Sequence, residues 1–201
     1  MKRMRRGSII GLTGGIGSGK TTATAHLRAL GANTFDADAI SRALLEPDGG
    51  CYRAVLDAFG TEILRADGSI DRRKLGGIVF CDEAARERLN AIVHPAVCEA
   101  LLAGARAILE SDPAAVVVLD VPLLFECGLY RQTDENVLIY ADDAVRLARI
   151  VARDGCAEEA ALRRMAAQMP QEEKRMLADV VIDNSGTREA LYAQLESWYG
   201  A

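Results

Sequence analysis

Residues 14 to 21 read Gly-Gly-Ile-Gly-Ser-Gly-Lys-Thr, a complete match to the pattern G-x-x-x-x-G-K-[ST]. Each residue type in it suits the holding of phosphate oxygens. Gly14, Gly15, Gly17 and Gly19 permit backbone conformations closed to other residues, so successive N–H groups can converge on one anion. Lys20 brings a point charge to the outer phosphates, and the Thr21 hydroxyl suits a magnesium ion that bridges them. A Gly-rich turn with an incidental Lys-Thr is the plain alternative. Against it stand the apolar run at 8–13 and the helix-like segment after Lys20, whose positive N-terminal end adds to the site.

A phosphate loop says only "nucleotide", so the next question is what meets the γ-phosphate. Asp36 and Asp38 close a short apolar run, and in extended backbone residues two apart face the same side. A carboxylate at the mouth of a sheet can orient and deprotonate an acceptor hydroxyl, or help to hold magnesium. Asp38 is the candidate, with the alternative that it merely caps a helix beginning at Ala39. Further along, Arg146, Arg149 and Arg153 fall at i, i+3 and i+7. Asp142 and Asp143 can pair with Arg146, whereas Arg149 and Arg153 have no acid three or four positions away. Such a row, followed by Asp154-Gly155 and by Arg163-Arg164, suits a lid that clamps phosphates and excludes water; a solvated charged face is the alternative. Arg163, four after Glu159, reads as surface, which leaves Arg164 as the functional member of its pair. Asp120, ending the most hydrophobic run, stands where an acid near the metal is placed, or is a simple strand-end carboxylate. The turn from Val121 to Glu126, with Leu124 in it, offers an apolar floor for an acceptor. His94 before Pro95 reads as a helix-start residue and His26 as solvent-facing.

The elements that must position these residues alternate between β-like and helical runs. Strands are expected at 8–13, 32–35, 115–121, 136–140 and 179–182, apolar on both faces as in a buried parallel sheet. Helices are expected at 22–30, from His94-Pro95 to 110, at 142–154 and at 187–199. In the last, Leu191, Leu195 and Trp198 form a core-facing stripe. The interval 41–111 is too long for a simple crossover and predicts a helical insertion.

Composition excludes several other classes. The chain has 201 residues and a net charge of −5, enough for one sizeable core and without a basic surface for nucleic acid or anionic membrane. No uninterrupted apolar stretch reads as long enough to span a bilayer; the best, 114–125, holds Asp120 and Pro122. Met1 to Arg6 reads as a short basic tail rather than a signal peptide. Five scattered cysteines without a C-x-x-C pair, and only two histidines, predict reduced cytosolic thiols and neither disulfides nor zinc. An N/T-K-x-D guanine-reading segment, which a GTPase would carry late in the chain, is absent.

Nearly the whole chain resembles the dephospho-coenzyme A kinases. The ordered marks are Gly11 to Thr21, Asp36-Ala-Asp38 with Arg42, Asp67-Gly-Ser-Ile-Asp-Arg72 with Leu75, Ile78-Val-Phe80, His94-Pro95, Asp120 to Glu126, Arg149 with Arg153-Asp154, Arg164 with Gln168, and Ala178-Asp179 with Asn184. The resemblance implies an α/β fold of the P-loop nucleoside triphosphate hydrolase type, a five-stranded parallel sheet with helices on both faces, a helical acceptor subdomain at 39–111 and a lid at 144–170. It implies ATP and dephospho-CoA as substrates, Mg²⁺ as cofactor, a cytoplasmic setting, and neither nucleic acid, membrane nor obligate protein partner. Gly15, Gly17, Ser18, Gly19, Lys20, Thr21, Thr22, Arg153 and Asn184 then belong to ATP, with Asn184 towards the adenine. Asp38, Arg42, His94 and Leu124 belong to the acceptor, Thr21 and Asp38 to the metal, and Asp38, Lys20 and Arg149 to catalysis. Arg146 stands where the family often has Gln, and the second strand is more polar than usual; neither is expected to touch the chemistry.

Overall fold

Five short runs rich in Val, Ile and Leu become strands: β1 (Ser8–Thr13), β2 (Asn33–Asp36), β3 (Val116–Asp120), β4 (Glu135–Tyr140) and β5 (Val180–Asp183). A computed structural model describes residues 7–200, so the expected basic tail at 1–6 lies outside the described residues. The strands form one sheet in the order β2-β3-β1-β4-β5, with β1 parallel to β3 and to β4, and β4 parallel to β5. The helices are α1 (Lys20–Ala29), α2 (Ala37–Leu44), α3 (Tyr52–Phe59), α4 (Arg72–Cys81), α5 (Glu83–Ser111), α6 (Asp143–Asp154), α7 (Glu158–Ala166), α8 (Gln171–Leu177) and α9 (Arg188–Tyr199).

Two compact units divide the chain. One is residues 7–35 with 105–200 and holds most of the sheet; the other is residues 36–104. In the first, β3 is buried along its whole length, which is why its sequence is apolar at every position rather than alternating. Ala23 and Leu27 of α1 and Leu191, Leu195 and Trp198 of α9 pack on Ile10, Leu12, Val116, Val118, Val137 and Ile139. Burying each large apolar side chain contributes on the order of 1.5–3 kcal/mol. A one-residue slip of register would turn this set away from the helices. β2, at the sheet edge, is only half-buried, which accounts for its polar Asn33 and Thr34; Thr34 Oγ1 accepts from Arg28 Nε at 2.8 Å.

The second unit carries α2, α3, α4 and most of α5, over much of the interval 41–111 where a helical insertion is expected from the sequence. Its interior is Cys51, Val55, Phe59, Ile63, Ile70, Leu75 and the buried stripe of α5. Asp71 caps α4 by accepting from the N–H groups of Arg73 and Lys74. The expected start of a helix at His94-Pro95 is wrong: α5 begins at Glu83 and Pro95 lies inside it. Proline there removes one bond, to the carbonyl four residues earlier, and burial of Ala85, Val93, Val97 and Leu101 on one stripe holds the rest. By length and composition α5 is apolar enough to cross a membrane, which the segment 114–125 is not, being β3 and a turn. The charges of Arg86, Glu87, Arg88 and Glu99 on its exposed face fit an amphipathic helix packed on a core.

Candidate active site

The loop from Gly14 to Gly19 leads from β1 into α1. Gly17 (φ 82°) and Gly19 (φ 87°) lie in the left-handed region, where any other residue is strained. α1 starts at Lys20, two residues before the expected start, and Gly19 is its N-cap with no capping side chain. The first N–H groups of the helix are therefore left for an incoming acceptor. A Cβ on Gly14 would stand 2.8 Å from the Ile139 carbonyl, and one on Gly17 would stand 2.7 Å from the Arg146 carbonyl. The loop is pressed against β4 and α6.

Lys20 Nζ is ion-paired with Asp120 Oδ1, and Asp120 Oδ2 accepts from Thr24 Oγ1 at 2.6 Å. The pairing of β1 with β3 brings this about, since Leu12 stands opposite Asp120. Asp120, which the sequence left between metal acid and strand end, is thus the partner of the phosphate-loop lysine.

The arginine row divides into three roles. Arg146 is buried; its Nε donates to the Ile16 carbonyl at 2.9 Å and its Nη1 pairs with Asp143 at 2.7 Å. Expected not to touch the chemistry, this residue grips the backbone of the loop itself. Arg149 points its buried Nη1 to the same loop, 4.0 Å from where a Cβ on Gly19 would be, and that nitrogen has no hydrogen-bond partner. Arg153 is not unpaired: it makes two bonds to Asp154, at 2.7 and 2.9 Å. Arg164 joins Asp154 at 2.5 Å. These two guanidinium groups hold the Asp154 carboxyl well below its ordinary range, and the Asp154 bond raises Arg153. Spacing rules for a helix examine i+3 and i+4 and so miss a partner at i+1.

The structure places three further residues. Asn184 is buried and donates from Nδ2 to the Ser18 carbonyl at 2.7 Å, so its amide braces the loop. Leu124 is fully buried and covers Gly11, where a Cβ would lie 2.8 Å from Leu124 Cδ2; its side chain is core. His26 does not face solvent but stacks on Tyr192, ring centroids 3.8 Å apart, and bonds Glu196 at 3.0 Å.

Beside Leu124 lies a residue the sequence gave no reason to single out. Lys174 of α8 is wholly buried, with Nζ 2.8 Å from Glu126 Oε1 and donating to the Pro122 carbonyl at 3.0 Å. That carbonyl also accepts from Thr13 Oγ1. A lysine in a charged helix looks like surface until the turn it packs against is known.

In the second unit, Asp36 caps α2, accepting from the N–H groups of Asp38 and Ala39 at 2.8 and 3.3 Å. The cap is therefore Asp36 and not Asp38, and Asp38 lies in the first helical turn rather than on the strand. Its carboxylate is exposed, and no hydrogen bond to it is found among the described residues. Arg42 donates from Nε to the Asp38 carbonyl at 3.0 Å. His94 is half-buried on α5, and burial pushes its imidazole below the ordinary value.

The chemistry of these groups suits a polyphosphate. Arg149 Nη1 and Ser18 Oγ are both buried and unpartnered at the loop, and buried donors ordinarily find acceptors. Among the described residues no three metal-ligating side chains cluster. The Thr21 hydroxyl is a protein oxygen of the kind that Mg²⁺ takes beside phosphate oxygens and water.

Comparison with known proteins agrees. The dephospho-CoA kinase family profile matches residues 8–189. The chain is 50% identical over 186 residues to a dephospho-CoA kinase of Geobacillus kaustophilus, covering 92% of each chain. It is 45% identical over 190 residues to one of Geobacter sulfurreducens, covering 94% of this chain and 95% of that one. Among solved structures it superposes on the dephospho-CoA kinase of Campylobacter jejuni with TM-score 0.70 and 28% identity, covering 96% and 95%. A shikimate kinase of Bacteroides thetaiotaomicron, at 17% identity and TM-score 0.52 over 96% of each chain, shares the fold alone. With the loop, its lysine and the ordered motifs all in place over nine-tenths of its length, the chain belongs to the dephospho-CoA kinase family.

Proposed function

We propose that the protein transfers the γ-phosphoryl group of ATP to the ribose 3′-hydroxyl of dephospho-CoA, giving coenzyme A and ADP, the final step of CoA synthesis. The observation that carries the kinase reading is the unpartnered Arg149 Nη1 beside Gly19, together with Lys20 on a single carboxylate. Family membership carries the choice of acceptor.

In this reading the backbone N–H groups of Gly17, Gly19, Lys20 and Thr21, with Gly15 and Ser18 shaping the loop, receive the phosphates, and Thr22, whose N–H donates to the Gly19 carbonyl at 3.0 Å, serves ATP through its hydroxyl. The lysine and Arg149 offset the charge that spreads over the transferring group. Asp38 orients the 3′-hydroxyl; as that oxygen bonds to the γ-phosphorus and the bond to ADP breaks, Asp38 takes the proton. Its free carboxylate supports this role. Arg42 and His94 serve the acceptor, the latter as a neutral imidazole. Mg²⁺, when bound through Thr21 with Asp38 as a further ligand, supplies charge neutralisation of the phosphates. Residues 39–111 form the acceptor subdomain and 144–170 the lid. No disulfide joins the five cysteines among the described residues, in keeping with a reducing cytoplasm, and the reaction needs no protein partner or nucleic acid.

The test is an ADP-release assay with Mg-ATP, comparing dephospho-CoA with AMP, CMP and no acceptor. ADP released only with dephospho-CoA, with CoA identified by mass, establishes the reaction. Release with another acceptor overturns the substrate, and release with none overturns the transfer.

A further inference from the structure

Both backbone polar groups of Ile16, at the tip of the phosphate loop, are taken by side chains from the segment between β4 and β5. Its carbonyl accepts from Arg146 Nε at 2.9 Å, and its N–H donates to Gln168 Oε1 at 2.8 Å. Arg146 stands on the first turn of α6, and Gln168 two residues past the end of α7. They bracket the stretch that holds Arg149, Arg153 and Arg164. Arg146 is further fixed by Asp143, and its guanidinium fills the space a side chain on Gly15 would need.

The tip of the loop is therefore a fastening and not a phosphate contact: its one N–H is committed, while those at the start of α1 remain available. Arg149 follows Arg146 by three residues, on the same face of α6. Any slip of the loop along α6 would change the distance from Gly19 to Arg149. We infer that Arg146 and Gln168 are positioning residues for the ATP phosphates, holding the loop in register with Arg149 before nucleotide arrives. The inference rests on the loop receiving ATP as proposed above. Positioning of this kind acts on the barrier through groups that need no rearrangement when charge develops.

Arg Nε and Gln Nε2 are the same number of bonds from Cα, so a glutamine at 146 keeps the donor that matters and loses only the outer guanidinium nitrogens. This makes a sharp test. Arg146→Met, Arg146→Gln, Gln168→Met and the Met/Met double variant are compared for kcat, for the KM of each substrate, for Mg-ATP affinity by calorimetry, and for Tm. Removing one partner of a half-buried backbone group should raise the Mg-ATP Kd and KM about tenfold in either Met variant, leaving the KM of dephospho-CoA within about twofold. Arg146→Gln should restore most of the affinity. The double variant should lose less than the product of the singles, because both act on one residue. Unchanged Mg-ATP affinity in a folded Gln168→Met variant overturns the proposal, as does equal weakening of both substrates or an Arg146→Gln as impaired as Arg146→Met. Calorimetry keeps the test separate from the kinase reading: if wild type released no ADP with dephospho-CoA, the nucleotide Kd values would still decide it.

Discussion

The ammonium group of Lys20 sits directly on the carboxylate of Asp120, a hundred residues away in sequence. Parallel pairing of β1 and β3 delivers the acid to the first turn of α1, and Thr24 occupies its other oxygen. Lys20 is thus held by one carboxylate, from which phosphate oxygens carrying more charge can draw it.

Replacing Lys20 with Met leaves Asp120 buried and without its counter-charge. Turnover should fall by about a hundredfold or more, and urea unfolding should show a loss of about 3 kcal/mol. Stability equal to wild type would mean that the pair contributes nothing to the resting fold.

Asp38→Asn should lower kcat by about a hundredfold or more, far more than it weakens Mg-ATP binding by calorimetry. Since Asp36 and not Asp38 caps α2, the variant should keep the wild-type Tm. An Asp36→Ala variant should lose about 1 kcal/mol through the cap alone.

Arg149 and Arg153 separate what their shared row made look alike. Arg149→Ala should cost about a hundredfold in kcat. Arg153 is engaged with Asp154 at an exposed position, so Arg153→Ala should change turnover by less than about fivefold. Steady-state kinetics of the two variants would reveal the split, and equal losses would return Arg153 to the donor site.

His94 gives a pH dependence with a definite sign. Burial lowers its folded pKa below an unfolded value near 6.5, so between the two the unfolded chain binds more protons. Stability therefore rises with pH across that window and falls as pH drops below about 6.5. The Tm difference between about pH 8 and about pH 5.5 should be smaller in His94→Gln than in wild type.

Lys174→Met tests the turn after β3. The substitution keeps the length of the side chain but leaves the Pro122 carbonyl with Thr13 alone and Glu126 with the Met169 N–H alone. Glu126 reaches water, so the loss should be about 1–3 kcal/mol, read by urea unfolding. A gain in stability would show that the buried pair costs more than it contributes.

The phosphate loop, the five strands and the helical insertion were legible in the sequence because each rests on local chemistry. Glycines at fixed offsets, runs apolar on both faces and caps such as Thr187, which accepts from Ala190, act within a few residues. Strand limits agreed to within a residue or so, β1 at both ends. Pro95 misled, because a proline in the middle of a well-packed helix loses one bond while a long buried stripe retains many contacts. Adjacent residues misled too: only the backbone angles at Asp36 decide which of two acids caps and which is free.

What the sequence determined by itself was the kind of ligand and the family that binds it, since both are written in residue types at short spacings. What the tertiary structure decided was which polar groups meet. Lys20 with Asp120, Ile16 with Arg146 and Gln168, and Lys174 with Pro122 and Glu126 are each joined across scores of residues. Those distances are closed by the order and register of the sheet. No local pattern encodes them, because burial and pairing are properties of what lies opposite a side chain rather than of the side chain itself.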